Sequence, residues 1–366
     1  MMYLDHGATS FPKLPQVKRA VLEAMERCAN PGRGGHEAAM RAARVVYNCR
    51  EAAGELFECD PEKVVFTTNC THGLNIAIRT LVKPGNRVVI SGFEHNAVTR
   101  PLFGMGADVR VAGRELFDWE DMLAEFRKEL EKGVDAAVFT HVSNVFGYIL
   151  PVEQMAALCR ERGIPFIVDA AQSAGSVPVS LRKLGADFIA MPGHKGLLGP
   201  QGTGILLCGK TPEPLILGGT GSESKMQQMP EYTPDRGEAG TLNVPGIGGL
   251  CAGIRYLLQN GVEGIGLREH RAMRVCAESL KKRGFRVYAG PHQAGTVSFV
   301  PKGDCEEFAQ KLANRGIAVR AGLHCAPLAH ESAGTLGTGT VRVSFGYDAD
   351  IRQVNRLIQE ADKLSR

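Results

Sequence analysis

The chain lacks any long apolar stretch. None of its apolar runs approaches the roughly 20 residues that are needed to span a bilayer. Asp5 and His6 lie where a secretory signal would need its apolar region. We therefore expect a cytoplasmic protein that has no membrane partner.

Paired cysteines and concentrated charge are also missing. The ten cysteines include no Cys-x-x-Cys pair, which argues against a zinc module and against a disulfide framework. We predict no metal site and expect most thiols to be reduced and buried.

The formal net charge is only +4 over 366 residues, and no run of five or six basic residues occurs. A nucleic-acid partner is therefore not indicated. No glycine-rich loop shows G-x-G-x-x-G after the first strand, which disfavours nicotinamide enzymes.

The residues that are present predict a layered α/β protein. Apolar residues make up 44% and charged residues 22% of the chain, as in ordinary globular domains. Between residues 64 and 208, short runs such as VVFTT, RVVIS, AAVFTHV and FIVDAA alternate with segments of helical periodicity. Continuous apolar runs predict strands that are buried on both faces, and helical crossovers predict parallel strands. We expect a doubly wound, mostly parallel sheet in a domain of residues 1–255, followed by a smaller α+β domain of residues 256–366.

Two polar side chains follow predicted strands and suggest a cofactor. Asp169 follows the apolar residues FIV in the run FIVDAA, and Lys195 lies in the stretch MPGHKGLLGPQGTG. Ligands of such sheets bind at the carboxyl ends of strands. Pyridoxal phosphate needs a lysine amine to hold its aldehyde as a Schiff base and a carboxylate to keep its ring nitrogen protonated. A solvated loop lysine and a capping aspartate are the alternative interpretations.

These stretches resemble a known family. VDAAQSAG, followed by His194, Lys195 and a Gly-Pro-x-Gly loop, is similar to the class V aminotransferases, which are fold-type I pyridoxal phosphate enzymes, and among them to the cysteine desulfurases. The resemblance extends from Tyr3 to about Gly346. The loop VRAGLHCAPLAH is similar to the R-x-G-x-H-C-A pattern of the second group of cysteine desulfurases and of the selenocysteine lyases.

The resemblance implies a set of cofactor contacts. Lys195 would form the Schiff base and later remove the substrate α-proton, and Asp169 would pair with the ring nitrogen. The other implied contacts are Gln172 to the phenolic oxygen, His95 stacked on the ring, Asn144 to a ring oxygen or a substrate group, and Thr71, the Cys70 backbone and His194 to the phosphate. Thr241 would reach the phosphate of a neighbouring subunit, which implies a homodimer. The chain departs from the family at Pro192, where the family usually has a Ser or Thr that holds the phosphate.

The resemblance also implies substrate contacts and a nucleophile. Cys325 aligns with the catalytic cysteine, and a partly exposed thiol near His and Arg can be nucleophilic. Arg342 would clamp the substrate α-carboxylate in a bidentate fork, with Arg320 as a second candidate. Ala8 and His36 correspond to family residues near the substrate. From the residues alone, Thr71 is equally a helix N-cap, His95 a structural histidine, and the His36 segment the start of a helix.

The function that the resemblance implies is that of a pyridoxal phosphate-dependent cysteine desulfurase. Such an enzyme converts L-cysteine to L-alanine and holds the sulfur on Cys325 as a persulfide for a sulfur-acceptor protein. A selenocysteine lyase, or another class V aminotransferase or β-lyase in which Cys325 is incidental, is the alternative enzyme. A sulfur-carrier or docking protein without turnover is the alternative of another class, although a scaffold would need neither Lys195 nor Asp169.

Overall fold

The computed structural model describes residues 1–32 and 34–365. In this part of the chain the strands are β1 (Met2–Tyr3), β2 (Val64–Thr67), β3 (Arg87–Ser91), β4 (Asp108–Ala112), β5 (Ala136–Thr140), β6 (Phe166–Asp169), β7 (Phe188–Pro192), β8 (Gly204–Cys208), β9 (Arg286–Tyr288), β10 (Thr296–Val300), β11 (Ile317–Ala318), β12 (Arg320–Gly322) and β13 (Thr340–Ser344). The helices are α1 (Pro15–Arg27), α2 (Glu37–Phe57), α3 (Cys70–Leu81), α4 (Asn96–Gly104), α5 (Trp119–Glu131), α6 (Val152–Glu161), α7 (Leu181–Leu184), α8 (Val244–Asn260), α9 (Val262–Lys281), α10 (Cys305–Asn314), α11 (Pro327–Ser332) and α12 (Ile351–Ser365).

The larger sheet has seven strands in the order β2-β8-β7-β6-β5-β3-β4. Five neighbouring strands from β7 to β4 are parallel, and β8 is antiparallel to both β7 and β2. Two reversals restore the direction, so β2 runs the same way as β7. The predicted α/β class with a mostly parallel sheet is confirmed.

Successive residues of the central strands pack into two different hydrophobic cores. On β3, Val89 belongs to the core that contains α5 and α6, whereas Val88 and Ile90 belong to the core that contains α3 and α4. Neighbouring side chains on a strand point to opposite faces. The sheet is therefore covered by helices on both sides, which explains the continuous apolar runs in the sequence.

The smaller sheet is antiparallel, in the order β12-β13-β10-β9. It has a separate apolar core with α9, α10 and α12. Strand β1 pairs in parallel with β11, so the N-terminal residues pack with the C-terminal part of the chain. Helix α8 runs across the predicted boundary at 255/256, and the two-domain division stays a proposal. None of the helices in residues 1–32 and 34–365 combines the length and the apolar character that a membrane crossing requires.

A buried ion pair fastens the segment that precedes α8 to the edge of the larger sheet. Arg50 on α2 donates to the Glu238 carboxylate through Nη1 at 2.9 Å and Nη2 at 2.5 Å, and the Phe66 N–H donates to Glu238 Oε1 at 2.5 Å. Glu238 is only 8% exposed. Breaking such a pair leaves a buried charge without its partner.

We expect Arg50→Met to lower the free energy of unfolding by about 3–5 kcal/mol, because the Glu238 carboxylate stays buried without its counter-charge. Urea unfolding measures this loss. The double variant Arg50→Met/Glu238→Leu should recover most of it, since apolar residues of similar volume often replace a buried pair at little cost. A single variant that loses less than about 1 kcal/mol would contradict the assignment.

Candidate active site

The candidate site lies where five strand ends meet. Strands β2, β3, β5, β6 and β7 run in one direction, so their carboxyl ends share one edge of the sheet. The last residues of these strands and the residues that follow them line one cavity: Asn69, Cys70, Thr71, His95, Ala97, Thr140, Val142, Asn144, Asp169, Ala171, Gln172, Pro192, His194 and Lys195. Eight of the predicted site residues are thereby brought together.

Asp169 and Lys195 place a carboxylate and an amine in this cavity. Asp169 is 2% exposed, and its Oδ1 accepts hydrogen bonds from the Ala171 N–H at 2.9 Å and from Cys70 Sγ at 3.4 Å. Burial lowers the pKa of Lys195, and the Asp169 carboxylate opposes that shift. A buried carboxylate is costly without a charged partner, so a protonated ring nitrogen would complete this arrangement.

One end of the cavity is the start of α3. Asn69 caps this helix through a hydrogen bond from the His72 N–H to its side-chain oxygen at 2.9 Å. The interpretation of Thr71 as the N-cap is therefore wrong. Cys70 and Thr71 are the first two helical residues, and N–H groups at this position have no partner within a helix. Together with the Thr71 hydroxyl they suit a phosphate, whereas Pro192 beside them offers no donor.

His194 is held by the N-terminal segment. Its Nδ1 lies 3.1 Å from Thr9 Oγ1. Its carbonyl accepts from the Ser10 N–H at 2.9 Å and from Lys13 Nζ at 2.9 Å. Burial lowers the pKa of His194 to about 4, with a further contribution from the positive charge of Lys195. His194 is therefore neutral at pH 7, and it leaves Nε2 for a ligand in the cavity it lines.

His95 both starts α4 and lines the cavity. Its Nδ1 accepts a hydrogen bond from the Ala97 N–H at 3.0 Å, which makes it the N-cap. Burial lowers its pKa, and the Asp169 carboxylate opposes that effect. Since Nδ1 accepts, the proton of the neutral ring lies on Nε2. The structural interpretation and the proposed ring contact are thus compatible.

Gln172 and Asn144 each have a protein partner that the sequence did not indicate. Gln172 Nε2 donates to the Gly7 carbonyl at 2.9 Å, and Asn144 Nδ2 donates to the His324 carbonyl at 2.7 Å. Asn144 Oδ1 is buried without a hydrogen-bond partner. A buried carbonyl oxygen without a hydrogen-bond partner in a polar cavity can accept a hydrogen bond from a ligand. Their predicted contacts to the cofactor stay predictions.

The loop that bears Cys325 is fixed against the same strand ends. Cys325 is exposed, and its carbonyl accepts from the Asn96 N–H at 2.8 Å. The backbone at His324 and Cys325 has φ of 49° and 56°, a left-handed conformation that non-glycine residues rarely adopt. Buried His324 lies 3.2 Å through Nε2 from the Thr340 carbonyl. The contacts of Asn144 and Asn96 thus attach this loop to the rim of the cavity, on the side where His95 lies.

Arg342 and Arg320 face each other on paired strands. Arg342 on β13 is 2% exposed and pairs in register with Arg320 on β12, which is exposed. Arg342 Nη1 donates to the Asn144 carbonyl at 2.9 Å, and Nη2 lies 2.7 Å from Asp5 Oδ1. Arg342 is thus joined to the cavity through Asn144, and Arg320 lies further out.

Besides Cys325, Arg342 and Arg320, three more predicted residues lie outside the cavity lining. His36 caps α2 by accepting from the Ala39 N–H at 3.3 Å. Thr241 is exposed and lines a different concavity beside His72. Ala8 follows Gly7, the partner of Gln172. Their predicted substrate and phosphate contacts stay predictions.

Sequence reasoning missed two groups in this region. The Cys70 thiol contacts Asp169 across 99 residues of chain, and no local signal announces such a pair. Asn69 could have been found, because Asn directly before a helical pattern is a preferred N-cap.

Comparison with known proteins places the chain in a family. The model of the family described as aminotransferase class-V matches residues 2–357. The chain belongs to the class-V aminotransferase family. Among its relatives, the probable cysteine desulfurases of Methanothermobacter thermautotrophicus and Pyrococcus abyssi are each 32% identical, over 100% of this chain and 94% of theirs. The apo structure of a cysteine desulfurase from Thermococcus onnurineus NA1 is 31% identical with a TM-score of 0.90, and covers 100% of this class-V chain and 94% of its own.

The exposure of the thiols generates a labelling prediction. Seven of the ten cysteines are buried, Cys28 and Cys59 are half-buried, and Cys325 is exposed. A brief treatment of the native protein with iodoacetamide should therefore modify Cys325 first, as measured by peptide mapping. Cys325→Ser should remove the fast phase, and Cys28→Ser should keep it. Faster labelling of Cys28 or Cys59 would contradict the described exposure.

Proposed function

We propose that this class-V family member is a pyridoxal phosphate-dependent cysteine desulfurase, which converts L-cysteine to L-alanine and takes the sulfur onto Cys325. The observation that carries the proposal is the attachment of an exposed cysteine to the cavity that holds Lys195 and Asp169. Relatives at 31–32% identity over the whole chain carry the same name. An aminotransferase or a β-lyase would have no use for the thiol.

The residues of the cavity fit the cofactor. Asp169 provides a buried carboxylate for the ring nitrogen, Lys195 an amine for the aldehyde, and the start of α3 with His194 the donors for the phosphate. Asn144 Oδ1 and the Nε2 of His95 remain for the ring or the substrate. When bound, pyridoxal phosphate supplies an electron sink that stabilises negative charge on the substrate α-carbon.

Lys195 serves as the base in this proposal. An amine can accept a proton only when it is neutral, and burial favours the neutral form by lowering the pKa of Lys195. Asp169 opposes the shift, so the amine stays basic enough to hold the proton that it removes from the α-carbon. His95, neutral and with its proton on Nε2, is placed to donate and return a proton beside it.

Cys325 performs the sulfur transfer. Its thiolate attacks the substrate sulfur, so that an S–S bond forms and the carbon–sulfur bond breaks. The electron pair of the broken bond stays with the substrate carbon, which takes up a proton and leaves as alanine. A thiol of a sulfur-acceptor protein, or a small thiol reductant, then removes the persulfide sulfur. Arg342 holds the substrate carboxylate, and Arg320, its partner in register on β12, is the second candidate for this contact.

The enzyme works as a homodimer in this proposal. Thr241 lies away from the cavity of its own chain and is exposed, as a contact to a neighbouring subunit would require. The segment that leads to Thr241 also carries exposed large apolar side chains, which favour a protein interface. They are Ile216, Leu217, Met226 and Tyr232. The cytoplasmic location stays a prediction.

The cofactor assignment predicts that the purified holoprotein is yellow and that borohydride reduction fixes the cofactor to Lys195, as peptide mapping would show. Lys195→Ala should lose this covalent attachment and keep the fold, measured by circular dichroism. Lys183, whose side chain is exposed on α7, is the matched control: Lys183→Ala should keep the colour. Label on any lysine other than Lys195 contradicts the assignment.

The nucleophile assignment predicts that Cys325→Ala binds the cofactor and still exchanges the substrate α-proton, since that step belongs to Lys195. Formation of alanine and sulfide from cysteine should fall by about 100-fold or more, as expected when a nucleophile is removed from a stepwise route. Deuterium exchange and product analysis measure the two steps separately.

A Cys28→Ala variant controls for general effects of removing a thiol and should desulfurate normally. Near wild-type desulfuration by Cys325→Ala would refute the persulfide role. Pyruvate and ammonia in place of alanine would identify a β-lyase. Selenocysteine turnover should be less affected by Cys325→Ala, because selenium leaves more readily than sulfur.

A further inference from the structure

The guanidinium of Arg342 is buried and has only partly satisfied donors. One N–H of Nη2 goes to Asp5 Oδ1 at 2.7 Å and one of Nη1 to the Asn144 carbonyl at 2.9 Å. Nε is buried without a hydrogen-bond partner. A guanidinium has five N–H donors, and two of them are used here. Asp5 neutralises the charge, and the N–H of Nε remains for another acceptor together with one N–H each of Nη1 and Nη2.

The N-terminal segment places Asp5 through contacts with β13. The Ser344 N–H donates to the Leu4 carbonyl at 2.8 Å, and Ser344 Oγ accepts from the Gly7 N–H at 2.8 Å. The backbone of Gly7 lies against the guanidinium, where an added Cβ would come within 3.1 Å of Arg342 Cζ. Asp5 is therefore fixed in position on both sides, by Leu4 and by Gly7.

The same segment also holds the residue before the cofactor lysine. The Ser10 N–H, its hydroxyl and Lys13 Nζ all donate to the His194 carbonyl, at 2.9, 3.0 and 2.9 Å. Residues 4–13 thus bind Arg342 at one end and the peptide that leads into Lys195 at the other. These two sets of contacts fix the position of Arg342 relative to Lys195.

We infer that Asp5 is a positioning residue that neutralises and orients Arg342, so that the unused edge of the guanidinium receives the substrate carboxylate. The inference rests on the proposed function, in which Arg342 is the carboxylate clamp. Burial lowers the pKa of Arg342 and Asp5 opposes that effect, which agrees with a carboxylate that keeps the guanidinium charged. Without Asp5, the side chain would lose its fixed geometry and bind carboxylates less well.

The test compares ligands that differ only in the carboxylate. With Asp5→Asn holoenzyme, we expect calorimetry to show binding of L-alanine weakened roughly tenfold or more, because an uncharged amide no longer holds the guanidinium through a charge-assisted hydrogen bond. Binding of ethylamine, which has no carboxylate, should be unchanged.

In kinetics, KM for L-cysteine should rise by the same factor while kcat and cofactor content change little. The Asp5→Asn substitution should have no further effect on L-alanine binding in an Arg342→Ala background.

Asp348 offers the matched control. Its Oδ1 lies 3.5 Å from Nε2 of His6, which belongs to the N-terminal segment, and it makes no ion pair with Arg342. Asp348→Asn should leave L-alanine binding unaltered. Tighter or unchanged L-alanine binding by Asp5→Asn, or a parallel loss of ethylamine binding, overturns the inference.

A crystal structure of the unmodified holoenzyme with L-alanine tests the same point without a variant. The inference requires the ligand carboxylate on Arg342 with Asp5 still in place, and displacement of Asp5 overturns it. These binding measurements do not depend on turnover. A wild-type enzyme that binds L-alanine in this way and releases no alanine from cysteine would refute the proposed function alone.

Discussion

The shared direction of five strands is the constraint on which this site depends. Because β2, β3, β5, β6 and β7 end at one edge, the polar residues that follow them converge without any special loop design. The antiparallel β8 does not disturb this, since a second reversal returns β2 to the common direction. Parts of the chain more than 100 residues apart thus contribute to one cavity.

Burial gives these polar groups their chemical character. Asp169 is enclosed with a thiol and a backbone N–H as its partners, and Lys195 is held in surroundings that favour the neutral amine. A charge costs more free energy in this enclosed cavity than in water, so a ligand of opposite charge would stabilise the Asp169 carboxylate there.

The order of strands and helices could be predicted because it is encoded locally. The apolar runs from Val64 to Cys208 mark the buried strands, and the start of α10 at Cys305 follows a capping aspartate, Asp304. The same local reasoning located Lys195 and Asp169. It could not show that β1 pairs with β11, nor that Arg342 meets Asp5 across 337 residues, because such contacts arise only when distant elements pack. His36 caps a helix in this chain, and its substrate contact, which rests on the family resemblance, stays a prediction.

The pairing of β1 with β11 has a consequence for the order in which the molecule is completed during synthesis. Residues 2–7 are translated long before their partners at Ile317 and Ser344. Domains usually fold from the N-terminus as they emerge. Here the larger sheet can assemble early, while the first residues wait unpaired. The contact that places Asp5 beside Arg342 can therefore form only after β13 has been made.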